Sequence, residues 1–448
     1  MKNLIEKYNT PGPRYTSYPT VPHWDNDTHS EETWKAALKT AFWRGGKEIS
    51  LYIHLPFCES LCTYCGCSTH ITKNHSVEEK YIDYLLKEWK MYLETFTSMP
   101  VIKEIHLGGG TPTFFSAKSL DNLLTGLLQD CTVSPDFEFG FEGHPGNTTE
   151  EHLRILSKIG FNRISLGIQD FDPEVQKTIN RKQTLDDVVR AVELSRKYGF
   201  TSINFDLIYG LPKQTISTIK ATVDQVIELK PSRIAFYGYA HVPWIKPAQK
   251  SFEQFLPDAH TKAEMYQIGK TLLSNNGYMD IGMDHFALPE DQLYKAFQNG
   301  GLHRSFMGYT TQHSNLLIGL GMSSISDSWT AFNQNEKTLK TYYQRLDQNE
   351  FPILRGHQLN AQELVIRKHI LNLMCRFETT WDLTELLELG IDYNLDLLTE
   401  MAHDGLITVG EHGLKVLEEG KPFIRNVCMA LDAKLWSKAS KQRFSMTV

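Results

Sequence analysis

The chain is poor in cysteine, in long apolar runs and in blocks of like charge. Seven cysteines in 448 residues are too few for a disulfide scaffold. Their number is odd, and no apolar stretch follows Met1-Lys2-Asn3-Leu4-Ile5-Glu6-Lys7 to act as an export signal, so reduced thiols in a cytoplasm are expected. No window approaches the roughly 18 consecutive apolar residues of a membrane span; the best, Leu316 to Met322, is short and broken by glycine. Lys and Arg number 46 against 53 Asp and Glu, giving a net charge of -7 with no basic run, which argues against a nucleic-acid binder of the basic-patch kind. A hydrophobic content of 41% with 11% aromatics excludes disordered and collagen-like classes and supplies a large core.

What is present has a clear order. Pro11, Pro13, Pro19 and Pro22 predict an extended, non-helical stretch from Tyr8 to His23. An amphipathic segment, Glu31 to Phe42, follows. From residue 49 short β-branched runs alternate with helical periods: a strand from Ile49 to Leu55, a helix over 76–96 with Ile82, Leu85, Leu86, Trp89, Leu93 and Phe96 on one face, and a strand from Val101 to Leu107 ended by Gly108-Gly109-Gly110. Thr148 with Glu151 and Thr184 with Asp187 read as capping boxes opening helices that close at Gly160 and Gly199. These two glycine-aromatic ends lie 39 positions apart, and a third, Gly277-Tyr278, lies twice that distance further on. Strands are predicted near residues 50, 103, 139, 164, 204 and 235, with a short one near 280. Units of this length favour parallel pairing with right-handed crossovers, and an α/β fold with a full or partial parallel (β/α) barrel fits better than an open sheet. From about residue 360 the pattern is helical, then gives a hairpin over 405–417 with a winged-helix look.

The chemistry concentrates in Leu55-Pro56-Phe57-Cys58-Glu59-Ser60-Leu61-Cys62-Thr63-Tyr64-Cys65-Gly66-Cys67, directly after the first strand. C-x3-C-x2-C lets one loop wrap a single inorganic core, as thiolate ligation of an iron-sulfur cluster requires. Zinc sites usually come as two separated pairs; buried thiols, a zinc site or a disulfide remain the bland alternatives on spacing alone. Three thiolates on a [4Fe-4S] cube leave one iron open, whereas ligation by Cys67 would close the site into an electron carrier. Two residues from Cys65, Cys67 is the weaker ligand candidate.

This motif, an aromatic before its third cysteine, and the glycine-rich end of the second strand resemble the radical S-adenosylmethionine (SAM) enzymes. Tyr8-Asn9-Thr10-Pro11-Gly12-Pro13-Arg14-Tyr15-Thr16-Ser17-Tyr18-Pro19-Thr20, the fourth cysteine in Cys65-Gly66-Cys67, Asp206-Leu207-Ile208-Tyr209-Gly210-Leu211-Pro212, Gly282 to Ala287, Gly308 to Gln312 and Arg425 to Met429 narrow the resemblance to the oxygen-independent coproporphyrinogen III oxidases. It runs from about residue 5 to the C-terminus. It implies a [4Fe-4S] cluster on Cys58, Cys62 and Cys65, with SAM chelating the open iron and a second SAM allowed. It implies catalytic roles for Tyr52, His54 and Cys67, and cofactor contacts for Tyr52, Gly109, Gly110, Thr111, Glu142, Gln169, Arg181, Asp206, Ala240, Phe306 and Ile325. Position supports part of this. Tyr52 and His54 share a face of the first strand, and carboxylates at strand ends, Glu142 and Asp206, would face one cleft in a parallel barrel. Gln169 ends the fourth strand, and Arg181, expected in the next helical segment, suits a carboxylate.

The implied reaction is conversion of coproporphyrinogen III to protoporphyrinogen IX without O2, through a 5′-deoxyadenosyl radical. Arg14 and Arg163 are candidates for the propionates on charge alone. A flavodoxin or ferredoxin would deliver electrons to a monomer, and no nucleic acid or membrane is expected as partner. The chain divides as an extension over the active site (1–48), a barrel (49–350) and a helical domain with a small hairpin (351–448). Two positions depart from the better-known members: Glu142-Gly143-His144-Pro145-Gly146 lacks their acidic residue and arginine after the glutamate, and Phe306-Met307 replaces their glutamine after the phenylalanine. Competing readings are a related radical SAM haem protein that opens or methylates porphyrins, a non-catalytic haem-trafficking protein, and a metal-sensing regulator reading DNA through 405–417, where Lys/Arg density is low.

Overall fold

A computed structural model of the chain describes residues 2–385, 395–436 and 444–447. The strand-helix alternation becomes six consecutive units. Their strands are β1 (Glu48–Leu55), β2 (Val101–Gly109), β3 (Thr132–Gly143), β4 (Arg163–Gln169), β5 (Ser202–Tyr209) and β6 (Arg233–Gly238). The helices that follow them span Val77–Thr95, Ala117–Leu128, Glu150–Ile159, Leu185–Lys197, Ile216–Leu229 and Ala259–Asn275. With β7 (Met279–Gly282), β8 (His285–Ala287), β9 (Leu317–Leu320), β10 (Ile325–Asp327), β11 (Ala331–Asn335) and β12 (Ile353–Gln358) they make one twelve-stranded sheet in the order β12-β11-β10-β9-β1-β2-β3-β4-β5-β6-β8-β7. Strands β1 to β6 pair parallel in sequence, and β9 joins the other side of β1 in the same direction. The end strands β12 and β7 are not paired with each other among the described residues, so the barrel is partial. The strand near 280 does not extend the parallel series. A two-residue turn returns β7 through β8, which lies antiparallel to β6, and so short a turn cannot make a parallel crossover.

Alternation along β1 shows why the strand forms here. Ile49, Leu51, Ile53 and Leu55 are fully buried in the core shared with the helices, each contributing about 1.5–3 kcal/mol of burial, while Ser50, Tyr52 and His54 take the opposite face. The capping box at Thr184 and Asp187 is present, but the one expected at Thr148 and Glu151 falls one residue later. Thr149 is the cap, and the ring of His152 accepts from its amide at 3.2 Å. Thr148 instead turns its hydroxyl back to donate to His144 O at 2.9 Å.

The main sheet reaches Gln358. A second core then forms around Ile366, Ile370, Leu373, Val427 and Cys428, roofed by a three-stranded wing of Glu378–Thr380, Ile407–Gly410 and Gly413–Val416. The extended start of the chain belongs to this core: Tyr8, Tyr15 and Tyr18 are buried in it, Tyr15 donates to Asp432 at 2.9 Å, and Arg425 donates to the carbonyls of Gly12 and Pro13. Residues 386–394 of the helical C-terminal reading lie outside the described residues.

Candidate active site

The thiol loop leaves β1 at Pro56 and is fastened from several directions. Gly110 N donates to Leu55 O at 2.8 Å and Thr111 N to Phe57 O at 3.0 Å, docking the loop on the end of β2. This contact needs glycine: a Cβ on Gly110 would lie 2.5 Å from Pro56 O, and one on Gly109, which has a φ of 113°, would lie 2.6 Å from the His54 ring. Thr63 N donates to Ile179 O, Asn180 Nδ2 to Leu61 O at 2.7 Å, Gln249 Nε2 to Tyr64 O at 3.0 Å and Lys246 Nζ to Cys67 O at 2.7 Å. Cys58, Cys62, Cys65 and Cys67 are all free thiols. Cys58 Sγ lies 3.3 Å from Thr111 Oγ1, and Arg181 Nη1 lies 3.8 Å from Cys62 Sγ. Burial pushes the Cys58 thiol up to about 11, whereas a hydrogen bond from Cys67 brings Cys65 down to about 6. Metal ligation at Cys58 therefore releases a proton.

Across the mouth, four inward side chains form a linked set. His54 Nε2 donates to Ser68 O at 2.9 Å, leaving Nδ1 to accept from Tyr52 at 3.1 Å. Arg163 donates to His106 Nδ1 at 3.0 Å, so His106 Nε2 donates to Glu142 Oε1 at 3.3 Å. Gly109 N adds a bond to Glu142 Oε2 at 3.2 Å. Burial opposes ionisation of Glu142, but His106 and the Gly109 amide outweigh it and hold its carboxyl below the ordinary value. Its side chain is 42% exposed to the cleft. Asp206 accepts from Ser165 at 2.8 Å and Asn204 at 2.9 Å, yet burial raises it to about 6.

Gln169 closes β4 in the left-handed region, at a φ of 69°, an unfavourable conformation for a side-chain-bearing residue. Arg181 is not helical. It lies in the loop between Pro173–Thr178 and Leu185–Lys197, where its guanidinium donates to Gly167 O and to Gln183 Oε1 at 3.1 Å. The departure from a helix has a cause: the preceding Asn180 turns left-handed, at a φ of 53°. Ala240 joins the thiol loop through Gln249, which donates to Ala240 O at 3.3 Å as well as to Tyr64. Ile325 sits over Gly319, the β9 partner of Tyr52. Phe306 instead packs edge-on against Trp24 and Phe332. Arg163 offers no spare charge for a propionate, being 3.2 Å from Glu138 Oε1 and bonded to His106. Sequence reasoning missed His106, Lys246 and Gln249, for which no local motif gives a signal.

The radical SAM superfamily model matches residues 52–226. Oxygen-independent coproporphyrinogen III oxidases of Salmonella typhimurium and Escherichia coli K12 are each 38% identical, covering 99% of this chain and 98% of theirs, and that of Pseudomonas aeruginosa is 38% identical over 100% and 98%. The chain belongs to the oxygen-independent coproporphyrinogen III oxidase family. The solved coproporphyrinogen III oxidase of Escherichia coli, a radical SAM enzyme, superposes with a TM-score of 0.89 at 36% identity over 97% of this chain and 98% of that one.

Family membership makes a [4Fe-4S] cluster and SAM the cofactors, and the residues present fit them. The thiols are spread along one docked loop; among the described residues no three His, Cys, Asp or Glu side chains close on a single-ion site, and a cube needs ligands spaced more widely than one ion does. Arg181 is buried beside Cys62 and makes no ion pair with a carboxylate among the described residues, which suits an arriving carboxylate. No helix among the described residues is long and apolar enough to cross a membrane.

Proposed function

We propose that the chain converts coproporphyrinogen III to protoporphyrinogen IX without O2, turning two propionate side chains into vinyl groups by oxidative decarboxylation in haem biosynthesis. The supporting observation is a loop of four free thiols, three of them in C-x3-C-x2-C spacing, docked at the mouth of a parallel barrel in a chain similar over its whole length to enzymes of that name. Cys58, Cys62 and Cys65 would hold the cluster, which together with SAM would supply the radical chemistry for hydrogen abstraction at a propionate β-carbon and loss of its carboxylate as CO2, the remaining electron passing to an acceptor.

The chain's own residues bind and orient. Glu142, held ionised by His106 and Gly109, can accept from an ammonium, and Asp206 from a ribose hydroxyl. Gly109 and Gly110 let the backbone of β2 approach a ligand closely, with Thr111 beside them. Arg181 offers a carboxylate its guanidinium next to Cys62, and Gln169 and Ala240 border the same cleft. Phe306 and Ile325 close the β9–β11 side. Tyr52 and His54 form a neutral pair below the loop, since burial pushes the imidazole down and the phenol up, and Cys67 stands exposed at its rim. The extension (1–48), barrel (49–350) and helical domain (351–448) would work together as a cytoplasmic monomer fed by a flavodoxin or ferredoxin, with a separate electron acceptor.

The test is anaerobic incubation of reconstituted protein with SAM, reductant, an electron acceptor and coproporphyrinogen III, followed by chromatography. Formation of 5′-deoxyadenosine and a divinyl product is expected; absence of both ends the assignment. The protein is also expected to be brown as isolated and to bleach in air.

A further inference from the structure

A cavity of about 210 Å3 lies behind β6, walled by the ends of β5 and β6, the helix Ala259–Asn275, the β7–β8 turn and both ends of the chain. A water needs only about 10–15 Å3 on this measure, so there is room for a charged side arm. Four cations line it: Arg14, Lys262, Lys421 and Arg425. Lys421 is paired with Glu418 at 2.6 Å. Arg425 is spent on the backbone, donating to carbonyls of Gly12, Pro13, Met446 and Thr447. Arg14 and Lys262 are each held by one carbonyl. Arg14 Nη2 donates to Gly238 O at 3.2 Å and Lys262 Nζ to Tyr239 O at 3.2 Å, and neither is in an ion pair among the described residues. Among the described residues Asp284 is the one carboxylate of the lining.

Four cationic side chains thus line a cavity with one acid among the described residues, and one of the four, Lys421, is already paired. Burial and the Arg14 charge bring the Lys262 ammonium down to about 8, as an excess of cation in a low dielectric should. Asp284 is held in place at a conformational cost: it and Met283 form the turn between β7 and β8 with φ of 67° and 41°, a turn better suited to Asn-Gly. The cavity is near the thiol loop. Gly238, which Arg14 contacts, is two residues and so at most about 7 Å of chain from Ala240, whose carbonyl shares Gln249 with Tyr64.

The geometry points to this cavity as the receptor for a tetrapyrrole propionate that does not react, with Arg14 and Lys262 as the donors. The inference rests on the reaction proposed above. A substrate with four propionates, of which two become vinyl groups, keeps two carboxylates through turnover, and fixing one of them selects which side chains reach the reacting centre. The carboxylate of a second SAM has the same chemistry, so the test separates the two sources.

Reconstituted enzyme is titrated anaerobically with coproporphyrin III, the stable oxidised tetracarboxylate, by fluorescence quenching, and with SAM by equilibrium dialysis. Lys262→Met keeps the stem that packs on Gly210, and Arg14→Gln is the second variant. Each is expected to weaken coproporphyrin III about tenfold and raise KM in proportion, with SAM binding and cluster absorbance at the wild-type level; Lys262→Arg restores most of the affinity. If Arg14→Gln fails to fold, Lys262→Met decides alone. Variants that bind coproporphyrin III within twofold of an active wild type overturn the inference, as does a loss confined to SAM. A wild type that neither binds coproporphyrin III nor makes a divinyl product fails at the earlier step and removes the inference with it.

Discussion

Two clusters of buried charge occupy different levels of the same strands. At the lower level Arg233 Nε is 2.6 Å from Asp291, its Nη2 is 3.3 Å from Glu138, and Arg163 Nε is 3.2 Å from the other Glu138 oxygen. Ser202 donates to the other Asp291 oxygen, and Thr311 adds a second donor to Glu138 Oε2. Toward the mouth, four residues further along β3, the pattern changes. Glu142 is held by a histidine and a backbone amide, Asp206 by a hydroxyl and a side-chain amide, and Arg181 by carbonyls. Opposite charges satisfy one another below, so that level is structural. Above, neutral groups orient the charges and leave their Coulombic capacity for a ligand, the expected arrangement of a preorganised site.

Substitutions should therefore separate function from stability by level. The largest effect is expected at the thiol loop, where Cys58→Ser, Cys62→Ser or Cys65→Ser abolishes iron and sulfide uptake on anaerobic reconstitution and turnover with it. Cys67→Ser should keep most of its iron. Equal iron loss in all four variants would break the three-ligand assignment.

Arg233→Met should act in the opposite way. It leaves Asp291 buried without its cation and Glu138 with Arg163 alone, at a cost of about 3–5 kcal/mol in urea unfolding of the apo-protein, while iron per folded molecule stays unchanged. Arg181→Met sharpens the contrast, because it removes a buried guanidinium that has no carboxylate partner. Its apo-protein stability should hold or rise, while SAM affinity by equilibrium dialysis falls about tenfold, or about 1.4 kcal/mol. A stability loss like that of Arg233→Met would assign Arg181 to the structural cluster instead.

Much of this was legible in the sequence because it is local. Six parallel strands, the glycine end of β2 and the thiol loop each rest on periodicity or spacing within about twenty residues, and the inward face of Tyr52 and His54 follows from strand alternation. Adjacent threonines blurred the cap at Thr149, since the side chain of either can accept helix amides, and in the structure Thr148 turns back to His144 while Thr149 caps the helix. Arg181 looked helical because nothing nearby in sequence signals the left-handed turn at Asn180. The fastenings of the thiol loop and of the N-terminal extension were out of reach for another reason: Gln249 and Tyr64 are 185 residues apart, and Arg425 holds Pro13 across 412.

The smallest expected effect tests Asp206, and its sign is fixed by burial. Removing the carboxylate from water raises it to about 6, against the donors Ser165 and Asn204 and the charge of Arg181. Above pH 6 the folded protein presents an acceptor; below it the group takes up a proton and that acceptor is lost. Neighbouring Glu142, held low, stays ionised across this range. The ionised fraction of a group at pKa 6 drops about fourfold between pH 7.5 and 5.5, so SAM affinity should weaken by up to about that factor over the same interval. Asp206→Asn should bind SAM weakly and without this pH dependence. A wild-type affinity flat from pH 7.5 to 5.5 would mean that Asp206 faces no hydroxyl of the ligand and belongs, with Glu138, to the frame of the barrel.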